Sequence, residues 1–489
     1  MGKKMVIKNS IIYILNNTLI KAFNFLLLPF YTAFLTTEDY GTINLIVSFV
    51  SVASYIVAFS LHAYVIRFYV DIKNDREQVK RFFGTMIVFV FLSGVIFLGI
   101  VSLLNSYFIA WIFKDINFYP TLLIALVGLV FSCVYSIYQD ILKGMENATK
   151  YSITSICYFF IQLGFIIYFV VGLDWGANGV LMASLIANFV CFIYLLIDLF
   201  HNNLITICID RKMLKNGLKY SIPLLPHNIS THITSFVSKI FINNSFSLTS
   251  VGLFSLATQF GSITDMIQSS VNIAFRPWFY DQLNKREKNY KKSITELSDI
   301  LIWAYGIIFL LIALFSQEAL LLFTNESYYR AWTVVPLIII PFSIKTMYYF
   351  YINVLLYHKN ATKFIFIATL SSSMINILLS AIFIPILDMY GSALADLIAM
   401  VIRVGIIVAL SMHFEDIGYK LSTFVFLILI NVFFISAGLI FSYTTFMYEI
   451  SLINIAYKIF VVMIYLIIAG INLKKHIKPL ILKLREKRS

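Results

Sequence analysis

Five cations stand inside otherwise apolar stretches of this chain: Lys21, Lys239, Lys345, Arg403 and Lys458. Opposite them in sign stand Asp265, Glu318 and Asp396. A charge at the centre of a membrane-spanning helix costs ~2.5–3.5 kcal/mol on insertion scales, so such groups face protein or water rather than lipid. Lys458 falls near the end of its apolar run and reads as a side chain that snorkels to the interface. Lys21, Lys239 and Lys345 have no carboxylate three or four positions away, the spacing at which helix residues become neighbours. Asp396 and Arg403 share a face two turns apart, too far for direct contact. Unpaired cations in a wet crevice concentrate phosphate and diphosphate, and an ammonium engages them as a mobile point charge rather than a rigid fork. Lys21, Lys239, Lys345 and Arg403 are therefore the candidate binding residues for an anionic substrate. Asp265, Glu318 and Asp396 are the candidates for coupling to a proton or sodium gradient.

Other chemistry has little to stand on. His227 and His232 are five apart and miss a common helical face, so no metal site is expected. Cys133, Cys157, Cys191 and Cys208 are scattered without a CxxC spacing and read as packing thiols. No GxxxxGK[ST] loop is present to cradle ATP phosphates. The largest outer connection, about 105–117, offers only Lys114 and Asp115 as ionisable groups, too little for a polymerase or glycosyltransferase. An enzyme is not expected, and no cofactor beyond an ion gradient.

Tyr348, Tyr349, Phe350 and Tyr351 follow Lys345 and read as interfacial aromatics. Pro29, Pro223, Pro226, Pro336 and Pro341 fall within the first, seventh and tenth apolar runs, where each is expected to remove a hydrogen bond and loosen a turn.

The elements that position these residues must be transmembrane helices. Of 489 residues, 60% are hydrophobic and 12% charged, more apolar surface than a water-soluble core can bury. A bilayer core takes ~20 apolar residues per helix, and fourteen such runs are present: about 10–35, 42–66, 83–104, 118–142, 152–172, 177–200, 220–243, 250–275, 297–323, 333–357, 364–385, 390–411, 422–443 and 453–473. Most of the 37 Lys and Arg fall in alternate connections, including Lys3, Lys4, Lys8, Lys143, Lys150, Lys359, Lys363 and the tail from Lys474 to Arg488. Basic residues in short loops stay cytoplasmic, so both termini are expected inside. The net charge of +13 thus follows from topology and attraction to anionic lipid, and is no sign of nucleic acid.

A repeat divides the chain. "MENATKYSI" at 145–153 and "HKNATKFIF" at 358–366 share a tetrapeptide, and "GVLMASLIA" at 179–187 lies over "GSALADLIA" at 391–399 at nearly the same offset. Helices one to six then correspond to seven to twelve, with thirteen and fourteen appended. Six is an even number, so the copies run in parallel, the arrangement of carriers that place a substrate between two halves. The expected segments are an N-lobe at 1–210, a C-lobe at 211–415, and helices thirteen and fourteen with a basic tail at 416–489.

Three stretches carry a family resemblance: the run from "LKYSIPLLPHNISTHITSFVSK" to "NIAFRPWFYDQL" at 218–283, "LPFYTAFLTTEDYGTINLI" at 28–46, and "LKGMENATKYS" at 142–152. They resemble the bacterial O-antigen and capsule repeat-unit flippases, the Wzx-type transporters of the multidrug/oligosaccharidyl-lipid/polysaccharide exporter superfamily. The resemblance implies two six-helix lobes forming a V, plus two helices. It also implies transfer of an undecaprenyl-diphosphate-linked oligosaccharide across the inner membrane, with membrane lipid, a polymerase and chain-length proteins as partners. Relatives often carry an Asp-Arg pair where this chain has Ser238 and Lys239, so the cation is kept and the acid is not. A multidrug or cation antiporter and a lipid II flippase of the same superfamily stay open as alternatives.

Overall fold

The computed structural model describes residues 3–105, 112–358 and 360–486. The side chains of Lys3, Lys4, Lys8, Lys359, Lys363 and the tail beyond Lys474, and the middle of the 105–117 connection, lie outside them. Helix makes up 87% of the structure, and no strand occurs among the described residues. Two compact units follow one another, Met1–Gly252 and Leu253–Ser489.

The first unit contains α1 (Lys3–Leu26), α2 (Leu28–Phe34), α3 (Thr37–Val57), α4 (His62–Ile72), α5 (Arg76–Leu103), α6 (Leu123–Gly144), α7 (Ala148–Ile166), α8 (Gly176–His201), α9 (Arg211–Ser221) and α10 (Leu225–Ser245). α6 is its most buried span and touches α3, α4, α5 and α8. α11 (Leu248–Lys285) begins here and continues into the second unit with α12 (Tyr290–Phe323), α13 (Val335–Tyr357), α14 (Thr362–Leu387), α15 (Met389–Phe414), α16 (Leu421–Gly438), α17 (Ile440–Thr444) and α18 (Leu452–Glu486). There α13 is the most buried span, set against α12, α15 and α16, while α18 lies on α12. The fourth and tenth expected helices, equivalent in the repeat, are thus the central helices of their units.

Twelve of the described helical stretches are long and apolar enough to cross a membrane. The two expected spans missing from that set, 220–243 and 250–275, are helical as α10 and α11 but rich in Ser, Thr, Asn and Gln. A helix this polar is satisfied against protein or water rather than lipid. The chain is a multi-pass membrane protein.

Local sequence sets the helix starts. Thr36 and Asp39 form a reciprocal cap on α3: the Thr36 hydroxyl accepts the Asp39 N–H at 3.0 Å, and the Asp39 carboxylate accepts the Thr36 N–H at 3.2 Å. The first copy of the repeated tetrapeptide is also a cap, with Asn147 Oδ1 accepting the Lys150 N–H at 3.1 Å. In the second copy α14 starts behind Ala361, with no side-chain cap.

Two expectations are corrected. The second run, 42–66, is not one helix: the chain breaks at Phe59 and Ser60, both with positive φ, before α4 begins. Pro29, Pro226 and Pro336 sit in the first turns of α2, α10 and α13, where no intrahelical bond is lost, and of the five expected positions Pro341 is the one inside a long helix.

Candidate functional site

In the first unit, α10 lies along α3 and turns a polar face inward. Ser230, Ser238, Lys239 and Asn243 are all buried on it. The Lys239 ammonium donates to the Asn44 carbonyl at 3.2 Å and makes no ion pair with a carboxylate among the described residues. One turn further along α10, the Asn243 amide is buried with no hydrogen-bond partner at either side-chain atom among the described residues, and so, on α1, is that of Asn16. Phe49 and Phe236 meet at 5.5 Å, and Tyr55 stacks on His232 at 5.2 Å, closing α3 and α10 on ring contacts. Lys21 is exposed on α1 and forms no ion pair among the described residues.

In the second unit a polar ladder joins α11 to α13. Asp265, Gln268, Asn272 and Arg276 follow one another at spacings of three, four and four, so they share a helical face. Their partners on α13 repeat that period. Asp265 Oδ1 accepts from the Lys345 ammonium at 2.5 Å and from the Tyr349 hydroxyl at 3.1 Å. The Gln268 amide donates to Thr346 Oγ1 and to the Phe342 carbonyl, both at 2.8 Å. The Asn353 amide donates to Asn272 Oδ1 at 2.8 Å, and Arg276 Nε donates to Asn353 Oδ1 at 3.2 Å. Lys345 also lies 5.5–5.6 Å from the ring centres of Phe342 and Tyr349, a cation–π contact.

The remaining predicted residues separate into two groups. Arg403 Nε donates to Ser372 Oγ at 2.7 Å, and Asp396 accepts from the Asn376 amide at 2.6 Å; as expected, the two charges do not touch. Arg403 and Arg276 both lie within electrostatic reach of Tyr348, and neither makes an ion pair among the described residues. Lys458 does not snorkel. It is fully buried, donates to Glu318 Oε1 at 2.6 Å and Gln317 Oε1 at 2.9 Å, and ties α18 to α12. Asn454 extends this network by donating to Gln317 Oε1 and Ser442 Oγ. The stem of Lys458 points into the bundle because a carboxylate is waiting there, and an interface is no competitor for a charge already neutralised.

Arg276 and the amide ladder were missed as site residues, although the 3-4-4 spacing on an otherwise apolar helix was a readable signal. Among the described residues no group of three His, Cys, Asp or Glu side chains could hold a metal.

Residues 6–283 match the family of polysaccharide biosynthesis proteins. The chain belongs to this family. It is 23% identical over 296 residues to Lsg locus putative protein 1 of Haemophilus influenzae, covering 58% of this chain and 68% of that one. The fold is that of the multidrug/oligosaccharidyl-lipid/polysaccharide exporter superfamily. It matches the lipid II flippase MurJ in an inward closed conformation at a TM-score of 0.69, with 16% identity over 96% of this chain and 99% of the other. An inward-facing multidrug transporter of the MATE family matches at 0.67, with 12% identity over 81% and 96%. The two solved structures are of a flippase and a transporter.

Proposed function

We propose that the chain is a flippase that carries undecaprenyl-diphosphate-linked oligosaccharide repeat units across the bacterial cytoplasmic membrane by alternating access, for O-antigen or capsule assembly. Both termini are placed in the cytoplasm by the basic loops. The observation that carries the proposal is Lys239, a buried cation on a polar helix whose one hydrogen-bond acceptor among the described residues is a backbone carbonyl. A buried ammonium without a counter-charge is costly to keep, and a diphosphate supplies that charge whenever substrate is bound.

Other groups support it. Lys21 and Asp396 are exposed within spanning stretches, where contact with hydrocarbon is disfavoured, so their faces adjoin water during the cycle. Arg403 keeps donors beyond its one bond to Ser372. Lys345 is the weakest member of the set, because Asp265 already neutralises it. With Asp265 held by Lys345 and Glu318 by Lys458, Asp396 is the acid we assign to coupling with a proton or sodium gradient. Membrane lipid and the pathway's polymerase and chain-length proteins are the partners of this reading.

A lipid II flippase is the second reading, favoured by a likeness to MurJ that runs the length of the chain. Deleting the gene separates the two. The expected result is loss of surface polysaccharide with viability and drug sensitivity unchanged, restored by the wild-type gene but not by Lys239→Ala at equal protein level. Loss of viability would transfer the assignment to lipid II, and altered drug sensitivity to a multidrug antiporter. Normal polysaccharide in Lys21→Ala, Lys239→Ala and Arg403→Ala strains would remove these cations from the reading.

A further inference from the structure

At the end of the first unit where α3 and α8 begin, a cavity of about 250 Å³ opens among Glu38, Asp115, Asn117, Thr121, Trp175 and Asn178. The basic-loop topology places this end outside the cytoplasm, opposite the Lys143 and Lys150 hairpin. Its wall is rigidly built. One oxygen of Asp39 is taken by Thr36, through the backbone N–H and the hydroxyl at 2.6 Å, and the other accepts the Ala177 N–H at 3.0 Å. Gly176 makes this approach possible: its φ is +48°, and a Cβ there would lie 2.7 Å from Asp39 Oδ1. Trp175, 46% exposed, stacks one face on Phe169 with centroids 5.0 Å apart, which fixes the plane of the indole.

The lining selects a ligand class. It holds carboxylates and no cation, so a diphosphate is repelled. It offers no set of three metal ligands. What it offers is acceptors. Asn178 lines the cavity, and its side-chain oxygen has no donor among the described residues, an unmade bond that costs free energy. Carboxylate, amide and hydroxyl groups beside an oriented indole suit a ring that has many O–H donors around its rim and C–H bonds on its face. The volume equals about eight waters' share of liquid, enough for a sugar ring.

We propose that this cavity is a carbohydrate subsite, which takes an uncharged sugar residue of the glycan on the extracytoplasmic side while the diphosphate is handled elsewhere. The inference rests on the flippase reading above.

The test uses the full-length chain in lipid nanodiscs. The probe is the oligosaccharide mixture freed by mild acid from the lipid-linked pool of the strain that carries the gene, observed by saturation-transfer NMR. Wild-type protein is expected to transfer saturation to sugar ring protons, and inorganic pyrophosphate is expected not to displace the signal. Trp175→Ala and Asn178→Ala should each weaken binding about tenfold, the loss of one well-made contact. Should either fail to give monodisperse protein, Asn117→Ala, at an exposed position, carries the same expectation. Absence of a wild-type signal, displacement by pyrophosphate, or unchanged binding in the variants overturns the subsite. If the deletion strain still loses its surface polysaccharide, the flippase reading survives that failure. Normal polysaccharide in the deletion strain would end both.

Discussion

Lys345 and Asp265 form a 2.5 Å ion pair between α13 and α11, and the Tyr349 hydroxyl donates to the same carboxylate oxygen. Both charged side chains are partly exposed, so water screens the pair and its net worth is modest. The pair's larger effect is on register, because it starts a ladder that continues through Gln268, Asn272 and Arg276. Lys345→Ala leaves Asp265 with one hydroxyl partner, and a loss of about 1–2 kcal/mol is expected. The exchanged double variant Lys345→Asp/Asp265→Lys should recover most of the melting temperature of the detergent-solubilised protein. No recovery would mean that the pair does not set the register.

Lys458 gives a contrasting expectation. It is fully buried against Glu318, whose second oxygen has no partner among the described residues. Removing one side of a buried pair costs ~3–5 kcal/mol, because the other charge stays behind. Lys458→Ala should therefore lower the yield of monodisperse protein sharply, whereas Lys458→Met/Glu318→Gln should restore it. A snorkelling lysine would show no such loss, so size-exclusion profiles of the two variants decide between the pictures.

Much of this was readable from composition and period. Apolar runs of membrane length gave the helices, and the repeat at a near-constant offset made α6 and α13 equivalent before their central placement was seen. The pairings were not readable. Asp265 and Lys345 are 80 residues apart, and Glu318 and Lys458 are 140 apart, so helix spacing, which reports only neighbours within a turn or two, could not link them. The break after α3 was hidden for another reason: "AFSL" at 58–61 contains neither Gly nor Pro, although Phe59 and Ser60 take positive φ there. α10 and α11, counted among the apolar runs in the sequence, fall outside the twelve spans apolar enough to cross, and they are the two helices that carry Lys239 and Asp265.

Gly176 offers a check on the outer wall of the first unit. A methyl group there faces both the positive φ and the Asp39 carboxylate, so Gly176→Ala strains the backbone and disturbs the bond from the Ala177 N–H. Left-handed backbone costs a non-glycine residue roughly 1–2 kcal/mol. The melting temperature should fall in Gly176→Ala, and a further Asp39→Asn change should add less than it does alone, because the two act on one contact. Full additivity would separate the glycine from the carboxylate.

The last prediction concerns the glycine of the "TEDYG" turn. Gly41 and Gly252 face each other where α3 crosses the first turn of α11, and the contact is reciprocal. A Cβ on Gly41 would land on the Leu248 carbonyl, and one on Gly252 would land on the Thr37 carbonyl. Thr37 and Gly41 stand in the first copy of the repeat where Leu248 and Gly252 stand in the second, so two equivalent turns touch through the same pair of positions. Only glycine permits that approach, as small residues do wherever membrane helices cross closely. Either Gly41→Ala or Gly252→Ala should force the backbones apart and lower the melting temperature. The double variant should cost less than the sum, since one displacement relieves both clashes. Gly405→Ala is the control: nothing lies within 4 Å of a Cβ there, and on a helix it should be neutral or gain up to ~1 kcal/mol. If all three single variants melt alike, the close crossing is not what the glycines serve.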